Sequence, residues 1–286
     1  MREPDRLHDL LTLRPTDRGV LVHEVLEAVV TATVATGDVP GPGEPWPESV
    51  HAALLAELDA RCRAAEQRGI VGAALHWRQE QRRLRRRLAG FLTMDLEART
   101  ALSVTPKEAE LSFGRDTPVE LALPGGEVLA LTGQVDRVDV GEGRVAVIDY
   151  KTGRYRPEPG EAEDPLLGGR RLQLPVYGLA ASRHLNLEDA EVVAEYWYLD
   201  HQRARRSRQA VRLDEALLER LGEVLVTITR AIAAGLFVPN PDPPDPWRWA
   251  RCPYCDPDGA DTATLWSQRQ HKQGDPALAP YLALVP

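Results

Sequence analysis

The stretch that decides the fold reads GQVDRVD at residues 133–139 and, a few residues later, VIDYKTG at residues 147–153. Apolar and polar residues alternate along both segments, which is typical of β-strands. Residues 141–144 have the sequence Gly-Glu-Gly-Arg, which favours a turn. The two segments are therefore predicted to form a hairpin.

The register of this hairpin brings charged residues together. With a four-residue loop, Asp136 lies directly opposite Asp149, with Cβ atoms about 5 Å apart. Lys151 lies two residues beyond Asp149 and projects from the same face. The other residues of this face are apolar, as expected of a core: Val138, Val140, Val145 and Val147.

Two interpretations of the Asp136, Asp149 and Lys151 group stay open at this point. Facing carboxylates repel one another and resist burial, and a hard divalent cation between them would remove the repulsion. In that case the lysine could hold or activate the attacking water. Alternatively, the three residues form an ion-pair cluster at the surface.

The remaining chain predicts an α/β protein with a helical N-terminal portion. Helices are predicted at residues 18–35, 52–67, 75–98, 172–184, 214–235 and 262–272. Strands are predicted at residues 110–113, 119–122, 128–140, 144–149, 190–199 and 209–213, with an irregular C-terminal tail. The predicted organisation is a helical portion at 1–105, a core at 106–238 and a proline-rich segment at 239–286, in one structural unit.

In this order the motifs resemble the catalytic signature of the PD-(D/E)XK nuclease superfamily, and in detail its RecB-like branch. That branch has G-x-x-D-R-x-D, then D-Y-K-T-G, then Q-x-x-x-Y on a helix, which Gln173 and Tyr177 match. Upstream, Gly19, His23 and Glu27 match a G-x-x-x-H-x-x-x-E helix. Glu110, at the start of the first predicted strand, stands where the branch often has an acid.

The resemblance implies a restriction-endonuclease-like core, with a central mixed sheet flanked by helices. It also implies a site for Mg²⁺ or Mn²⁺. The implied metal ligands are His23, Asp136, Asp149 and the backbone carbonyl of Tyr150. The implied catalytic residues are Asp136, Asp149, Lys151, Gln173 and Tyr177, with Lys151 acting on the attacking water.

The basic residues are almost all arginine, since the 35 Lys and Arg residues include three lysines, Lys107, Lys151 and Lys272. The net charge of −8 weighs against a nonspecific nucleic-acid coat protein but leaves room for local basic patches. The arginine-rich helix is either a solvated face or a path for DNA phosphates. The residues predicted to bind DNA are Arg82, Arg83, Arg86, Arg87, Arg170 and Arg171.

The sequence predicts a cytoplasmic protein with no membrane association. Its apolar runs stay below the ~18 residues of a membrane helix, and the acidic start does not resemble a signal peptide. Three cysteines cannot build a disulfide scaffold.

Many RecB-like nucleases hold an iron–sulfur cluster with four cysteines, and this chain has an incomplete set. Cys252 and Cys255 match two positions, whereas Asp261 stands at the third and no cysteine precedes His23. A bound cluster is therefore not expected, and zinc would need two further ligands. The chain is either the nuclease portion of a longer protein or a branch that has lost the cluster.

The predicted function is that of a metal-dependent deoxyribonuclease, with an exonuclease-like activity in DNA repair or recombination. The alternative is a nuclease-fold protein that binds DNA or a helicase without cleavage. A metalloprotein organised by Cys252 and Cys255 is a third hypothesis. The sequence contains no G-x-x-x-x-G-K-[ST] motif, so a helicase activity is expected only from a partner or a missing segment.

Overall fold

The computed structural model describes residues 11–115, 119–200, 207–238, 240 and 262–284. The helices are α1 (Pro15–Thr36), α2 (Glu48–Gln67), α3 (Ala74–Leu102), α4 (Gln173–His184), α5 (Glu215–Ala233), α6 (Thr262–Lys272) and α7 (Ala279–Leu284). The strands are β1 (Thr105–Phe113), β2 (Val119–Ala122), β3 (Val128–Leu131), β4 (Gly133–Gly141), β5 (Arg144–Lys151), β6 (Glu191–Tyr198) and β7 (Arg208–Arg212).

Five strands form the main sheet, in the order β1-β4-β5-β6-β7, and β2 pairs with β3 in a separate two-stranded sheet. The pair of β5 and β6 is parallel, whereas the other neighbours in the main sheet are antiparallel. A parallel pair requires a crossover connection, and α4 lies within that connection. The mixed sheet flanked by helices and the helical N-terminal portion are therefore confirmed.

The two faces of the sheet bury different side chains, as the period-two pattern predicts. Ala146, Ile148 and Tyr150 of β5 pack with residues of α1, α2 and α3. Val145 and Val147, which alternate with them, pack with residues of α4. The sheet is thus the middle layer between two helical layers.

The hairpin register is confirmed where β4 and β5 pair. Val140 faces Val145, and the ladder continues to Arg137 opposite Ile148. The next position in the same register places Asp136 across from Asp149. The turn between the strands contains Gly143 with a φ of 61°, a left-handed conformation that glycine adopts without strain.

Several predicted element bounds were wrong. The predicted strand at 128–140 is two strands, because β3 pairs with β2 whereas β4 pairs with β1. The break lies next to Gly114, where a side chain would collide with the carbonyl of Leu131. Strand β1 begins at Thr105, so Glu110 lies inside it rather than at its start. The predicted irregular tail contains the short helix α7.

Behind the hairpin lies a buried charge cluster of Asp95, Arg99, Arg137 and Asp139, each at most 1% exposed. Arg137 donates to both carboxylate oxygens of Asp139, at 2.6 and 2.7 Å. Its Nη1 lies 2.6 Å from Asp95 Oδ1, and Arg99 Nε donates to Asp95 Oδ2 at 2.7 Å. Two cations and two anions thus balance one another, which offsets the desolvation that their burial requires.

One helix in the described part of the chain, α1, is long and apolar enough to cross a membrane. Charged residues interrupt this helix, so the expectation that no uninterrupted apolar run reaches ~18 residues holds although the helix as a whole passes the test. Leu21, Val22, Val25 and Leu26 of α1 are buried in the core of the protein. One such helix is weak evidence of a membrane span, because core helices and signal sequences pass the same test.

The chain divides into two compact units. The first contains the main sheet, α1 to α4 and the motif residues, and the second contains residues 122–128, 159–172 and those from 219 onwards. In the second unit, Asp164 accepts hydrogen bonds from the backbone N–H groups of Leu166 and Gly168 and pairs with Arg220. The three-part domain division stays a prediction.

The predicted cysteine pair, Cys252 and Cys255, and Asp261 lie outside the described residues, as does most of the basic segment at 201–208. The expectation that no iron–sulfur cluster is bound therefore stays a prediction.

Candidate active site

The candidate site lies at the junction of α1, β1, β4 and β5, and His23 of α1 connects three of these elements. Its Nε2 lies 2.9 Å from the backbone carbonyl oxygen of Tyr150 and must donate there, because a carbonyl only accepts. Its Nδ1 lies 3.1 Å from Asp136 Oδ1. The helix thus brings an imidazole to the residues that the sequence motifs single out on the hairpin.

Three acids lie in a row across three neighbouring strands. In the register of β1 with β4, Ala109 faces Arg137 and Leu111 faces Val135, so that Glu110 lies across from Asp136. Asp136 in turn lies across from Asp149. Glu110 has a φ of 53°, a left-handed conformation that is rare and strained for a residue with a side chain. This distortion coincides with the position of the acidic row.

The Asp136 side chain is held by its second oxygen. Oδ2 accepts the backbone N–H of Tyr150 at 2.6 Å, while Oδ1 faces His23. A carboxylate with both oxygens engaged has a fixed orientation, which is what a metal ligand or a catalytic group requires.

Lys151 lies on the other side of Asp149, within a network of polar side chains. Its Nζ lies 2.5 Å from Asp149 Oδ2 and donates to Gln173 Oε1 at 3.0 Å. The amide of Gln173 donates from Nε2 to the hydroxyl of Tyr177 at 3.0 Å. Gln173 and Tyr177 stand four residues apart on α4, so one helix face presents both. The motif residues Asp149, Lys151, Gln173 and Tyr177 are therefore in one connected group.

Tyr196 of β6 completes this network and was not predicted. Its hydroxyl donates to Gln173 Oε1 at 3.3 Å, and its ring centroid lies 4.7 Å from Nζ of Lys151. The ammonium thus lies over an aromatic face as well as beside a carboxylate. No local motif marks Tyr196, because its position depends on the parallel pairing of β5 with β6.

The donor set fits a divalent cation. One ligand atom from each of His23, Glu110 and Asp136 lies within 4.8 Å of the other two. Imidazole nitrogen and carboxylate oxygens are common ligands of divalent metals. The other predicted ligands adjoin this group, because the Tyr150 carbonyl accepts from His23 and Asp149 lies across from Asp136 in the register of the hairpin. Glu110 was noted in the sequence without a role, and the structure brings it to the predicted ligands.

The electrostatics of the site indicate excess negative charge. Burial and the nearby charge of Asp136 raise the pKa of Glu110 to about 7. Burial also raises the pKa of Asp149 to about 6, although the Lys151 ammonium opposes this shift. Burial lowers the pKa of His23, but the hydrogen bond and the charge of Asp136 outweigh this, and the net shift is upward. A cation among these groups would relieve the repulsion.

The raised pKa values predict a pH-dependent stability of the metal-free protein. A carboxyl whose pKa is higher in the folded state than its unfolded value near 4 favours folding while it is protonated. That contribution is lost as the pH rises through the folded pKa, and the raised pKa of His23 acts in the same direction. In EDTA, the melting temperature is therefore expected to fall between pH 5 and pH 8.

The Glu110→Gln variant tests this expectation, because a neutral amide removes one of the titrating groups. Its melting temperature in EDTA should depend less on pH than that of the wild type, whereas Glu142→Gln, in the exposed hairpin turn, should behave as wild type. Addition of Mg²⁺ or Mn²⁺ at pH 8 should raise the wild-type melting temperature. A pH profile that Glu110→Gln leaves unchanged would contradict the assignment.

The predicted DNA-binding arginines differ in their surroundings. Arg82 and Arg86 are exposed and have no acidic partner in the part of the chain that the structure describes. Arg83 is half-exposed and lies 3.4 Å from Glu80. Arg87 is 8% exposed and pairs with Glu80 and Asp200, at 3.4 and 3.2 Å, so it is not available at the surface as expected.

The second unit contains the other two predicted arginines. Arg171 pairs with Glu161 at 3.0 Å, and Arg170 is exposed. All six arginines had equal weight in the sequence pattern, because the pattern alone does not show which of them pair with an acid in the folded chain.

Comparison with known proteins finds a family model and several relatives that match this chain. The family model of the PD-(D/E)XK nuclease superfamily matches residues 2–258. A relative from Symbiobacterium thermophilum, named as a subunit of an ATP-dependent helicase/deoxyribonuclease, is 38% identical over 104 residues, which cover 25% of this chain and 9% of that protein. A protein of the same name from Caldanaerobacter subterraneus subsp. tengcongensis is 33% identical over 115 residues, covering 38% of this chain and 10% of that protein.

The chain thus spans about a tenth of the length of these curated relatives. Among solved structures, that of SSO0001 aligns with a TM-score of 0.22 and 22% identity, over 49% of this chain and 58% of that one. A similarity of that size has no bearing on function.

Proposed function

This chain belongs to the PD-(D/E)XK nuclease superfamily, and from that premise we propose that it is a metal-dependent deoxyribonuclease that hydrolyses DNA phosphodiester bonds. One observation carries the proposal. The donor atoms of His23, Glu110 and Asp136 converge within 4.8 Å, and Asp149 and Lys151 form an ion pair beside them. An arrangement built only for stability would not gather three acids on one face of a sheet.

We propose that the metal is held by His23, Glu110, Asp136 and Asp149, with the carbonyl of Tyr150 adjoining them. A divalent cation bound there would neutralise charge on the phosphodiester during in-line attack by water. The Nζ of Lys151, fixed by Asp149 and Gln173, would orient the water and donate to the phosphate oxygens. In the reaction, the water oxygen would bond to phosphorus while the bond from phosphorus to the leaving oxygen breaks. The water would lose a proton to solvent and the leaving oxygen would take one up.

The finer points of the proposal are an exonuclease-like activity with Mg²⁺ or Mn²⁺, a role in DNA repair or recombination, and a cytoplasmic location. The relatives named as helicase/deoxyribonuclease subunits support a helicase as partner or as an adjoining segment. Because the chain matches about a tenth of each relative, their activities as whole proteins remain proposals for this chain.

Incubation with linear single-stranded, linear double-stranded and closed circular DNA tests the proposed function. Cleavage is expected with Mg²⁺ or Mn²⁺ and not with EDTA, and an exonuclease spares the circular substrate. Binding of DNA without cleavage under every metal condition would contradict the proposal and favour a nuclease-fold protein that binds without cutting.

The exposed face of α3 supports DNA binding. Arg78, Arg82 and Arg86 recur every four residues, so they lie in one row with a spacing of about 6 Å. All three are exposed, without an acidic partner among the described residues. Arg85, seven residues after Arg78 and on the same side of the helix, pairs with Asp59 at 2.5 Å. The helix thus has an unneutralised row of charge, here named the arginine row.

Removal of the arginine row is expected to change the salt dependence of DNA binding. Each phosphate contact contributes about 0.7 to the slope of log K against log[salt] for single-stranded DNA. The combined Arg78→Gln, Arg82→Gln and Arg86→Gln variant should therefore reduce the slope by about 2. Arg85→Gln, the control, should change it less, because Asp59 already neutralises that side chain. An unchanged slope in the triple variant would assign the row to a solvated face.

A further inference from the structure

A pair of tyrosines adjoins the candidate site on the side of Lys151. In the parallel pairing of β5 with β6, Asp149 faces Tyr196 and Lys151 faces Tyr198. Parallel neighbours in register point their side chains to the same face, so both tyrosines lie on the face of the acids. Trp197, between them, points to the opposite face and is 1% exposed in the core.

The aromatic row continues beyond the strand. The ring centroids of Tyr196 and Tyr198 are 6.3 Å apart, and those of Tyr198 and Tyr155 are 5.3 Å apart. Tyr196 is buried under Lys151, whereas Tyr155 and Tyr198 are partly exposed. Aromatic surface that reaches solvent thus begins next to the candidate catalytic lysine.

Two arginines adjoin Tyr155, at one end of this aromatic surface. Tyr155 lies between Arg154 and Arg156 in sequence, and both arginines are exposed. Arg154 is 67% exposed and lies 3.4 Å from Asp200. Such an exposed ion pair contributes little to stability. Proteins that bind single-stranded nucleic acid combine these two features: cations that follow the backbone and aromatic rings on which bases stack.

We propose that Tyr155 and Tyr198, flanked by Arg154 and Arg156, form a stacking platform for unpaired bases beside the cleavage site, which makes single-stranded DNA the substrate. This inference rests on the proposed function. Bases of an intact duplex are already stacked and paired, and their faces are not accessible to a ring. The platform therefore favours one strand over two, and it does so without sequence preference, because every base has an aromatic face.

Binding in EDTA tests the platform without cleavage. Oligonucleotides that carry 2-aminopurine, as single strands and as duplexes of the same sequence, are titrated with wild type, Tyr155→Leu, Tyr155→Phe, Tyr198→Leu and Tyr198→Phe. Each leucine variant is expected to lose roughly 5- to 100-fold in affinity for the single strand, with duplex affinity unchanged. The phenylalanine variants keep the ring and should bind as wild type, with the same quenching of 2-aminopurine fluorescence on stacking.

The melting temperature of each variant separates a folding defect from a lost platform. Tyr198 also packs against the core, so Tyr155→Leu, in the segment after β5, decides the test if Tyr198→Leu unfolds. Unchanged single-strand affinity in Tyr155→Leu, or an equal loss for single strand and duplex, would overturn the platform.

Failure of the platform and failure of the proposed function are distinguishable. If the wild type cleaves DNA with Mg²⁺ or Mn²⁺ but the leucine variants bind single strands with wild-type affinity, the proposed function stands and the platform is rejected. If the wild type never cleaves DNA but the leucine variants lose affinity for single strands, the platform stands and the proposed function is rejected.

Discussion

Replacement of Lys151 by alanine is expected to lower the rate of DNA cleavage on the order of 10²- to 10⁴-fold, with metal affinity largely retained. The Nζ contacts Asp149 and Gln173 rather than the converging group of His23, Glu110 and Asp136. Its loss therefore affects the water and the transition state more than the bound ion. Lys151→Arg should also fail, because a guanidinium is larger and cannot occupy the position of a compact ammonium.

The aspartates should behave differently from the lysine. Asp136→Ala and Asp149→Ala are each expected to abolish cleavage and also weaken metal binding. His23→Ala should lower the cleavage rate less than either of them. Cleavage time courses beside metal titrations provide the measurement. Lys107→Ala, which removes an exposed lysine from β1, is the control and should cleave as wild type. Robust cleavage by Lys151→Ala or Asp149→Ala would reject the site.

The largest loss of stability is expected at Asp139, three residues from Asp136 in the same motif. Asp139→Asn leaves Arg137 fully buried with one carboxylate partner instead of two. Breaking a buried ion pair in this way costs about 3–5 kcal/mol in the free energy of unfolding. The fraction that stays folded should cleave DNA at the wild-type rate, because Asp139 lies on the opposite face from Asp136.

Urea denaturation followed by circular dichroism measures this loss. Asp59→Asn is the matched control, since Asp59 also pairs with an arginine, Arg85, but at a half-exposed position. Exposed pairs contribute about 0–1 kcal/mol, so the control should remain close to wild type. A loss below about 1 kcal/mol in Asp139→Asn would show that the buried charge cluster does not stabilise the fold as its burial indicates.

The hairpin could be predicted from the sequence because the residues that determine it are close together in the chain. Strand alternation and a glycine turn determine which residues of β4 and β5 face one another, so the placement of Asp136 across from Asp149 could be predicted. The different surroundings of the two acids in the motif followed from the same alternation, which put Asp136 and Asp139 on opposite faces.

Features that depend on distant pairing could not be predicted. Glu110 reaches Asp136 through the register of β1 with β4, and Tyr196 reaches Lys151 through the pairing of β6 with β5. The long alternating run at 128–140 contained no sign that its first part pairs with β2. Arg87 was expected at the surface, and one of its two acidic partners, Asp200, is 113 residues away in sequence.

The position of His23 has a consequence for the folding kinetics. It contacts Asp136 and the Tyr150 carbonyl across 113 and 127 residues of chain, and closing loops of that length is slow compared with forming local helices and hairpins. During refolding, the hairpin and α1 can each form early, but the group of ligands is complete only after α1 docks on the sheet. Tight metal binding should therefore appear in the slowest refolding phase, after most of the helical signal has recovered.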